Sequence, residues 1–242
     1  MQQITETKCR CPDAIVLQIR RVTKSFGSST QPVHVLHGLD LDIHAGRLTL
    51  VMGPSGSGKT TLLMILGLLL RPTRGTVHIG GRDVTGCLES ELPAIRRRQV
   101  SFVFQAFNLL SALTAAENVQ VALELQGVRG RQAASRAVEL LDRVGLGHRT
   151  GHRPAELSGG EKQRVGVARA LASPARVILA DEPTGNLDGR TSQQVADLLR
   201  HLAHEERRAV VMVTHDPRLE LLADRLIRME DGRIVEDGEV KA

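Results

Sequence analysis

The sequence predicts an α/β domain built on a mainly parallel sheet, and three observations carry that prediction. Val177-Ile-Leu-Ala180 and Ala209-Val-Val-Met-Val213 are unbroken apolar runs, as expected of strands buried on both faces of a parallel sheet. A helical pattern from about Thr191 to Glu206 joins them, the kind of crossover that parallel strands need. Leu48-Thr-Leu-Val-Met52 is a further short apolar strand, and it runs straight into a glycine-rich loop and a helix. The 242 residues suffice for one such domain, or for a core with an inserted subdomain.

Taken in order, residues 1–13 read as a flexible polar tail without the apolar core of a signal peptide, and residues 14–242 as a single domain. Ala14-Ile-Val-Leu-Gln-Ile19 and Leu39-Asp-Leu-Asp-Ile43 read as strands, the second alternating strictly and so wet on one face. Gly27-Ser-Ser-Thr-Gln-Pro32 between them is turn chemistry. Thr60 to Leu70 carries a helix that is apolar nearly all round and therefore buried, with Pro72 and Gly75 as its stops. Val100-Ser-Phe-Val-Phe104 is another strand. Thr114-Ala-Ala-Glu117 then opens a helix to about Gly127 with a capping-box pattern, and a second helix runs from about Arg131 to Val144. Ser158-Gly-Gly-Glu161 is a second capping-box pattern, starting a helix through Ala172 that Pro174 stops. The stretch from about 106 to 172 thus reads as an inserted helical subdomain. Leu226-Ile227, Asp231-Gly232 and Ile234-Val235 finish the chain with a hairpin.

Composition excludes several roles. The net charge of +5 is spread out, with Arg96-Arg97-Arg98 as the densest run, and there are four Phe but no Trp or Tyr. A stacking platform for single-stranded nucleic acid is therefore not expected. Three cysteines make no disulfide framework and point to a reducing compartment, while Cys9 with Cys11 lacks a four-ligand set for metal. The pairs His148 with His152 and His201 with His204 likewise have no further ligands in view. The longest apolar run, Leu62 to Leu70 interrupted by Gly67, is far short of a membrane span. A cytoplasmic location without direct membrane insertion is expected, so that any membrane role comes through a partner.

The chemistry starts at Gly53-Pro54-Ser55-Gly56-Ser57-Gly58-Lys59-Thr60, which fits the phosphate-loop pattern G-x-x-x-x-G-K-[ST]. Its glycines let successive N–H groups turn inward at phosphate oxygens, and the following helix adds its positive end. Lys59 suits the β- and γ-phosphates of a nucleotide, the Thr60 hydroxyl suits Mg²⁺, and Thr61 continues the same nucleotide-binding stretch, a pattern that kinases, GTPases, RecA-like motors and transporter ATPases share. Asp181-Glu182 ends an apolar strand at the carboxyl edge of the sheet, beside that loop. There Asp181 can hold Mg²⁺ through its water shell, and Glu182 can orient or deprotonate an attacking water. Ser158, Gly159, Gly160 and Glu161 form a second helix start rich in bare donors, and so either a second anion site or simply a cap.

Leu157-Ser-Gly-Gly-Glu161, in order between the phosphate loop and Asp181-Glu182, resembles the LSGGQ signature of ABC-type ATPases, with Glu161 in place of Gln. The resemblance covers about Ile15 to Val235. It implies a P-loop NTPase core with a mainly parallel sheet, an N-terminal antiparallel β-subdomain and an inserted helical signature subdomain. It also implies ATP and Mg²⁺ as ligands and ATP hydrolysis as the activity. Phe26 matches the aromatic that stacks on adenine, usually a Tyr. Gln105 matches the glutamine that contacts Mg²⁺ and the attacking water. Asn186-Leu-Asp188 matches the loop that crosses the dimer interface, and His215 the switch histidine that contacts the γ-phosphate and positions Glu182. Ser158 to Glu161 and Asp188 would then serve the ATP of a second copy, in a homodimer held together by two ATP. Work would pass to an integral membrane permease, with Phe107, Leu109 and Leu110 as contacts or as core. Leu-Ala-Asp-Glu-Pro-Thr-Gly-Asn-Leu-Asp188 and Phe102-Val-Phe-Gln-Ala-Phe-Asn-Leu-Leu110 are most similar to the lipoprotein-releasing and macrolide-exporting branch, implying export or extraction of a substrate from the membrane. A cell-division type that controls a membrane partner without transport, and a soluble ABC ATPase, share the same motifs.

Overall fold

The computed structural model describes residues 14–28 and 31–240. The expected tail, with Cys9 and Cys11, lies outside the described residues.

The large sheet has six strands in the order β10-β9-β3-β8-β7-β6. These are β3 (Leu48–Met52), β6 (Val100–Phe104), β7 (Val177–Asp181), β8 (Ala209–Val213), β9 (Arg225–Glu230) and β10 (Arg233–Glu239). All neighbours are parallel except β10, which closes the edge as a hairpin around Asp231-Gly232. The period of two along each strand sorts the apolar runs onto two cores. Leu50, Met52, Ile178, Ala180, Val210 and Met212 face one core. Val51, Val177, Leu179, Val211 and Val213 face the other. Unbroken apolar strands are what a sheet covered on both sides demands.

One cover is the antiparallel sheet β2-β1-β4-β5, formed by β1 (Ile15–Ser28), β2 (Gln31–His44), β4 (Arg74–Ile79) and the two-residue β5 (Arg82–Asp83). It encloses α1 (Lys59–Leu66) from the side of Leu17, Ile19, Leu36 and Ile43. The other cover is helical: α3 (Ala115–Leu125), α4 (Gly130–Arg143), α5 (Gly159–Leu171) and α6 (Gly189–His204). α2 (Leu92–Gln99) leads into β6. Between β6 and β7 the described chain is helix, turn and loop, without strand.

Several boundaries differ from expectation. The first two strands are fourteen residues each, and Gly27 pairs with Pro32, so both belong to the strands and not to a turn as expected. α1 stops at Leu66 rather than Leu70, because Gly67 caps it and Leu68 turns left-handed at φ 56°. Met64 on that helix is exposed, so its outer side is not buried as expected. Gly75 lies in β4 instead of merely stopping a helix.

Candidate functional site

The site grows from the carboxyl ends of β3, β7 and β8. Beyond Met52 the chain enters the loop through Gly53, with Gly56 and Gly58 at φ 82° and 96°. A side chain at Gly58 would press to 2.8 Å from Leu36 Cδ2 and 3.1 Å from the Val35 carbonyl, and one at Gly53 would collide with the Met229 carbonyl. Glycine is therefore required for shape as well as for φ. Gly58 caps α1 without a side-chain bond, leaving the first-turn N–H donors to the loop. Pro54, Ser55 and Gly56 form the exposed rim, Ser57 is buried beneath, and Thr61 is half-buried. The Lys59 ammonium crosses the centre of the loop and donates to the carbonyls of Gly53 (2.8 Å) and Pro54 (2.7 Å). Burial lowers its pKa, and the charges of Glu182 and Asp181 oppose that shift.

Thr60 Oγ1 donates to Asp181 Oδ1 at 3.3 Å, so a hydroxyl and a carboxylate converge at the head of α1. Burial pushes the Asp181 carboxyl above its usual range, while the Thr60 bond works against the shift. These are hard oxygen donors of the kind Mg²⁺ prefers, and they fit that ion beside a phosphate. Glu182 adopts a left-handed φ of 44°, which only the surrounding bonds can enforce before Pro183. Its N–H donates to the Val213 carbonyl (3.0 Å), and its own carbonyl accepts from Gly185 N (3.0 Å). The carboxylate is thereby turned out of the strand toward His215, whose Nδ1 lies 3.4 Å from Glu182 Oε1. A cleft of about 250 Å³ opens there, lined also by Gly185, Thr214 and Arg218.

Gln105, just past β6, is held to the loop that follows Glu182 by a contact that no local motif encodes. Its amide donates to Asn186 Oδ1 (3.4 Å), and Asn186 donates back to the Gln105 carbonyl (3.2 Å). The next turn is held from below. Phe107 and Asn108 are both left-handed, at φ 61° and 50°, and the Arg169 guanidinium of α5 donates to both of their carbonyls. Leu110 is exposed, whereas Leu109 packs on the core and Phe107 is half-buried.

A second helix start completes the inventory. Ser158 Oγ accepts from Glu161 N (3.2 Å) and Glu161 Oε2 accepts from Ser158 N (2.8 Å), the reciprocal box that the spacing predicts. The Ser158 bond and the nearby Arg149 hold the Glu161 carboxyl below the usual range. Gly160 lets α5 approach α6, because a side chain there would collide with Thr191. Asp188 caps α6 by accepting from Thr191 N (3.0 Å) and Thr191 Oγ1 (2.7 Å). Among the described residues, no hydrogen bond joins Ser158–Glu161 to residues 53–61. Phe26, exposed on β1, already carries the Lys24 ammonium 5.0 Å from its ring centroid.

The phosphate loop, the paired acids at a strand end and the Ser-Gly-Gly helix start together define an ATP-binding cassette. The family profile described as ABC transporter matches residues 36–185, and the chain belongs to that family. It is 48% identical over 224 residues to a macrolide export ATP-binding/permease protein MacB of Paracoccus denitrificans, covering 93% of this chain. It spans about a third of the length of that relative (33%). It is 45% identical to the lipoprotein-releasing system ATP-binding protein LolD of Pseudomonas syringae, covering 93% of this chain and 99% of LolD. Among solved structures it resembles the ATP-binding cassette MJ0796 in a dimeric post-hydrolysis state bound to ADP and phosphate. The TM-score is 0.85 at 38% identity, over 93% of this chain and 99% of that one.

Proposed function

We propose that this chain binds and hydrolyses ATP as the motor subunit of a membrane export or extraction system, and that it works as a two-fold homodimer around two ATP. The observation that carries the reading is the pair of anion-receptive helix starts, α1 and α5, on one chain with no hydrogen bond between them among the described residues. Each would complete the other's site across a dimer, the closed arrangement expected of an isologous contact. MJ0796 is recorded as a dimer, which supports the same reading.

Residues 53–61 and the Phe26 ring would hold the nucleotide. Ser158, Gly159, Gly160, Glu161 and Asp188 of the second copy would close over its γ-phosphate. Bound Mg²⁺, on Thr60, Gln105 and a water shell at Asp181, would neutralise charge on the β- and γ-phosphates. Glu182, held by its backbone bonds and flanked by His215, would take the proton of the attacking water. Lys59 leaves the loop carbonyls to meet the phosphate charge. Phosphate release would remove the bridge between the copies, and the opening would be felt by an integral membrane permease. Leu110, exposed in the segment that follows Gln105, would belong to that contact. Among the described residues no helix is long and apolar enough to cross a membrane. A place on the inner face of the cell membrane, held through the permease, follows from this reading. MacB joins an ATP-binding and a permease part under one name, and LolD is named as the ATP-binding protein of a releasing system, which favours the exporting branch.

Ser158→Arg tests the composite site. The variant is expected to bind ATP as a monomer with unchanged affinity and to lose hydrolysis. Hydrolysis that persists and scales linearly with protein at low concentration would refute the two-copy reading.

A further inference from the structure

The start of α5 contains an electrostatic conflict. It is proposed above to receive the triphosphate of a second copy, yet its third residue is a carboxylate. An unpaired Glu161 would repel phosphoryl oxygens at the point where the helix end should attract them, in a setting where closing the dimer removes water and strengthens the repulsion. Glutamine would present the same shape without the charge.

The structure resolves this conflict through one side chain from outside the helix. Glu161 Oε2 accepts from Ser158 N, and Glu161 Oε1 accepts from Arg149 Nε at 2.9 Å. Both oxygens are thereby engaged. The pair is partly sheltered, with 14% of the Glu161 side chain and 36% of the Arg149 side chain exposed. Arg149 is fixed on a second side, where its Nη1 lies 3.2 Å from His152 Nε2. Its short turn, Gly147–Arg149, is anchored to the rest of the helical cover. Arg149 N donates to the Leu146 carbonyl, and the carbonyls of Thr150 and His152 accept from Ala116 (3.0 Å) and Ala115 (2.8 Å) at the head of α3. The guanidinium is therefore delivered to Glu161 by a rigid support and not by a free surface arm.

We propose that Arg149 and Glu161 are a matched pair, in which Arg149 is a positioning residue that neutralises and aims Glu161 so that the Ser158–Gly160 donors can receive the partner copy's γ-phosphate. The inference rests on the composite-site reading. It predicts a dependence that a purely structural arginine would not have: Arg149 matters only while residue 161 is acidic.

The test is a double-mutant cycle on the full chain, with ATPase rate measured against protein and ATP concentration. Arg149→Ala is expected to lower the cooperative hydrolysis rate about tenfold or more, with ATP binding by the monomer unchanged, because the lost partner leaves a charged group uncompensated at an interface. In the Glu161→Gln background the same Arg149→Ala change is expected to cost less than about threefold, because the uncompensated charge is then gone. Arg149→Lys should retain part of the rate, since it keeps the charge but loses the planar fork. Wild-type rates in Arg149→Ala would overturn the proposal. So would an equal loss in both backgrounds, which would make Arg149 a structural support for its turn. Loss of the composite site itself is read separately: if Ser158→Arg still hydrolyses ATP, that reading fails whatever Arg149 does.

Discussion

Replacing Glu182 with Gln isolates the role of one carboxylate with little cost to the fold. The side chain keeps its volume, and the left-handed backbone is held by the bonds to Val213 and Gly185, which do not involve the carboxylate. What changes is the group 3.4 Å from His215 Nδ1, which loses its charge and its capacity to accept a proton from water. Removing a positioned general base costs about 10²–10⁴ in rate. Stability should move by less than about 1 kcal/mol, since Glu182 lies partly exposed and its loss relieves a like-charge contact that helps to raise the Asp181 carboxyl. Steady-state ATPase assays read the rate, and light scattering with ATP reads the assembly. The expected result is turnover slowed about 10²–10⁴-fold together with an accumulated ATP-bound dimer. Turnover within tenfold of wild type would remove Glu182 from the chemistry. Slow turnover without a dimer would mean that hydrolysis is not what separates the copies.

Two further outcomes follow from the site and the core. Burial raises the Asp181 carboxyl, so the folded state holds a proton more tightly there than the unfolded chain, and this group makes ligand-free stability fall as pH rises through its elevated folded value. Asp181→Asn should therefore raise the melting temperature of the ligand-free protein at neutral pH while abolishing Mg²⁺-dependent hydrolysis. A lower melting temperature would contradict the burial argument. Gly67→Ala places a methyl group within 2.8 Å of Phe102 Cε1 and closer still to the ring tip, and overpacking of that kind costs about 1–3 kcal/mol in thermal or urea unfolding. Adding Phe102→Leu should recover part of the loss, and no recovery would place the strain elsewhere.

What could be read from the sequence was whatever is encoded locally. β3, β6 and β8 fall on the expected residues because a short apolar run bounded by polar chain has few alternatives. Both capping boxes are present because their chemistry needs only residues three apart. β4, β5 and α2 carry no such local signal. Arg74–Ile79 gains its strand identity from pairing with β1, and Leu92–Gln99 shows no apolar stripe, with Leu92 its only buried side chain. The full length of β1 was hidden for the same reason: Val22–Ser28 is mostly polar and half-exposed, and it is extended because β2 and β4 flank it. At the site, the loop and the paired acids carry contiguous signatures, whereas Gln105 and His215 are singled out only by the family resemblance. The contacts that orient them were invisible. Gln105 with Asn186, Arg149 with Glu161, and Arg169 with Phe107 each join segments that only the fold makes neighbours.

In the proposed composite site, those hidden contacts would link the two half-sites of one chain. α5 carries Ser158 at its head, and about three turns below, Arg169 grips the left-handed pair Phe107-Asn108, just past Gln105 and Ala106. Arg169 is buried enough for desolvation to lower its pKa, so its charge is met by those carbonyls at the cost of water. A bond of that kind is not easily given up. Gln105 in turn is clasped by Asn186, two residues before the Asp188 cap of α6, and Gly160 and Thr191 press α5 on α6 from the other side. Gln105, the Asn186–Asp188 loop and the start of α5 are thus tied into one packed unit. Close-packed interiors have low compressibility and transmit strain. If, as proposed, Gln105 meets the chain's own Mg²⁺ and Ser158 the second copy's ATP, a displacement of Gln105 would reach Ser158 within the same chain, and the proposed dimer would sense both sites through a single helix.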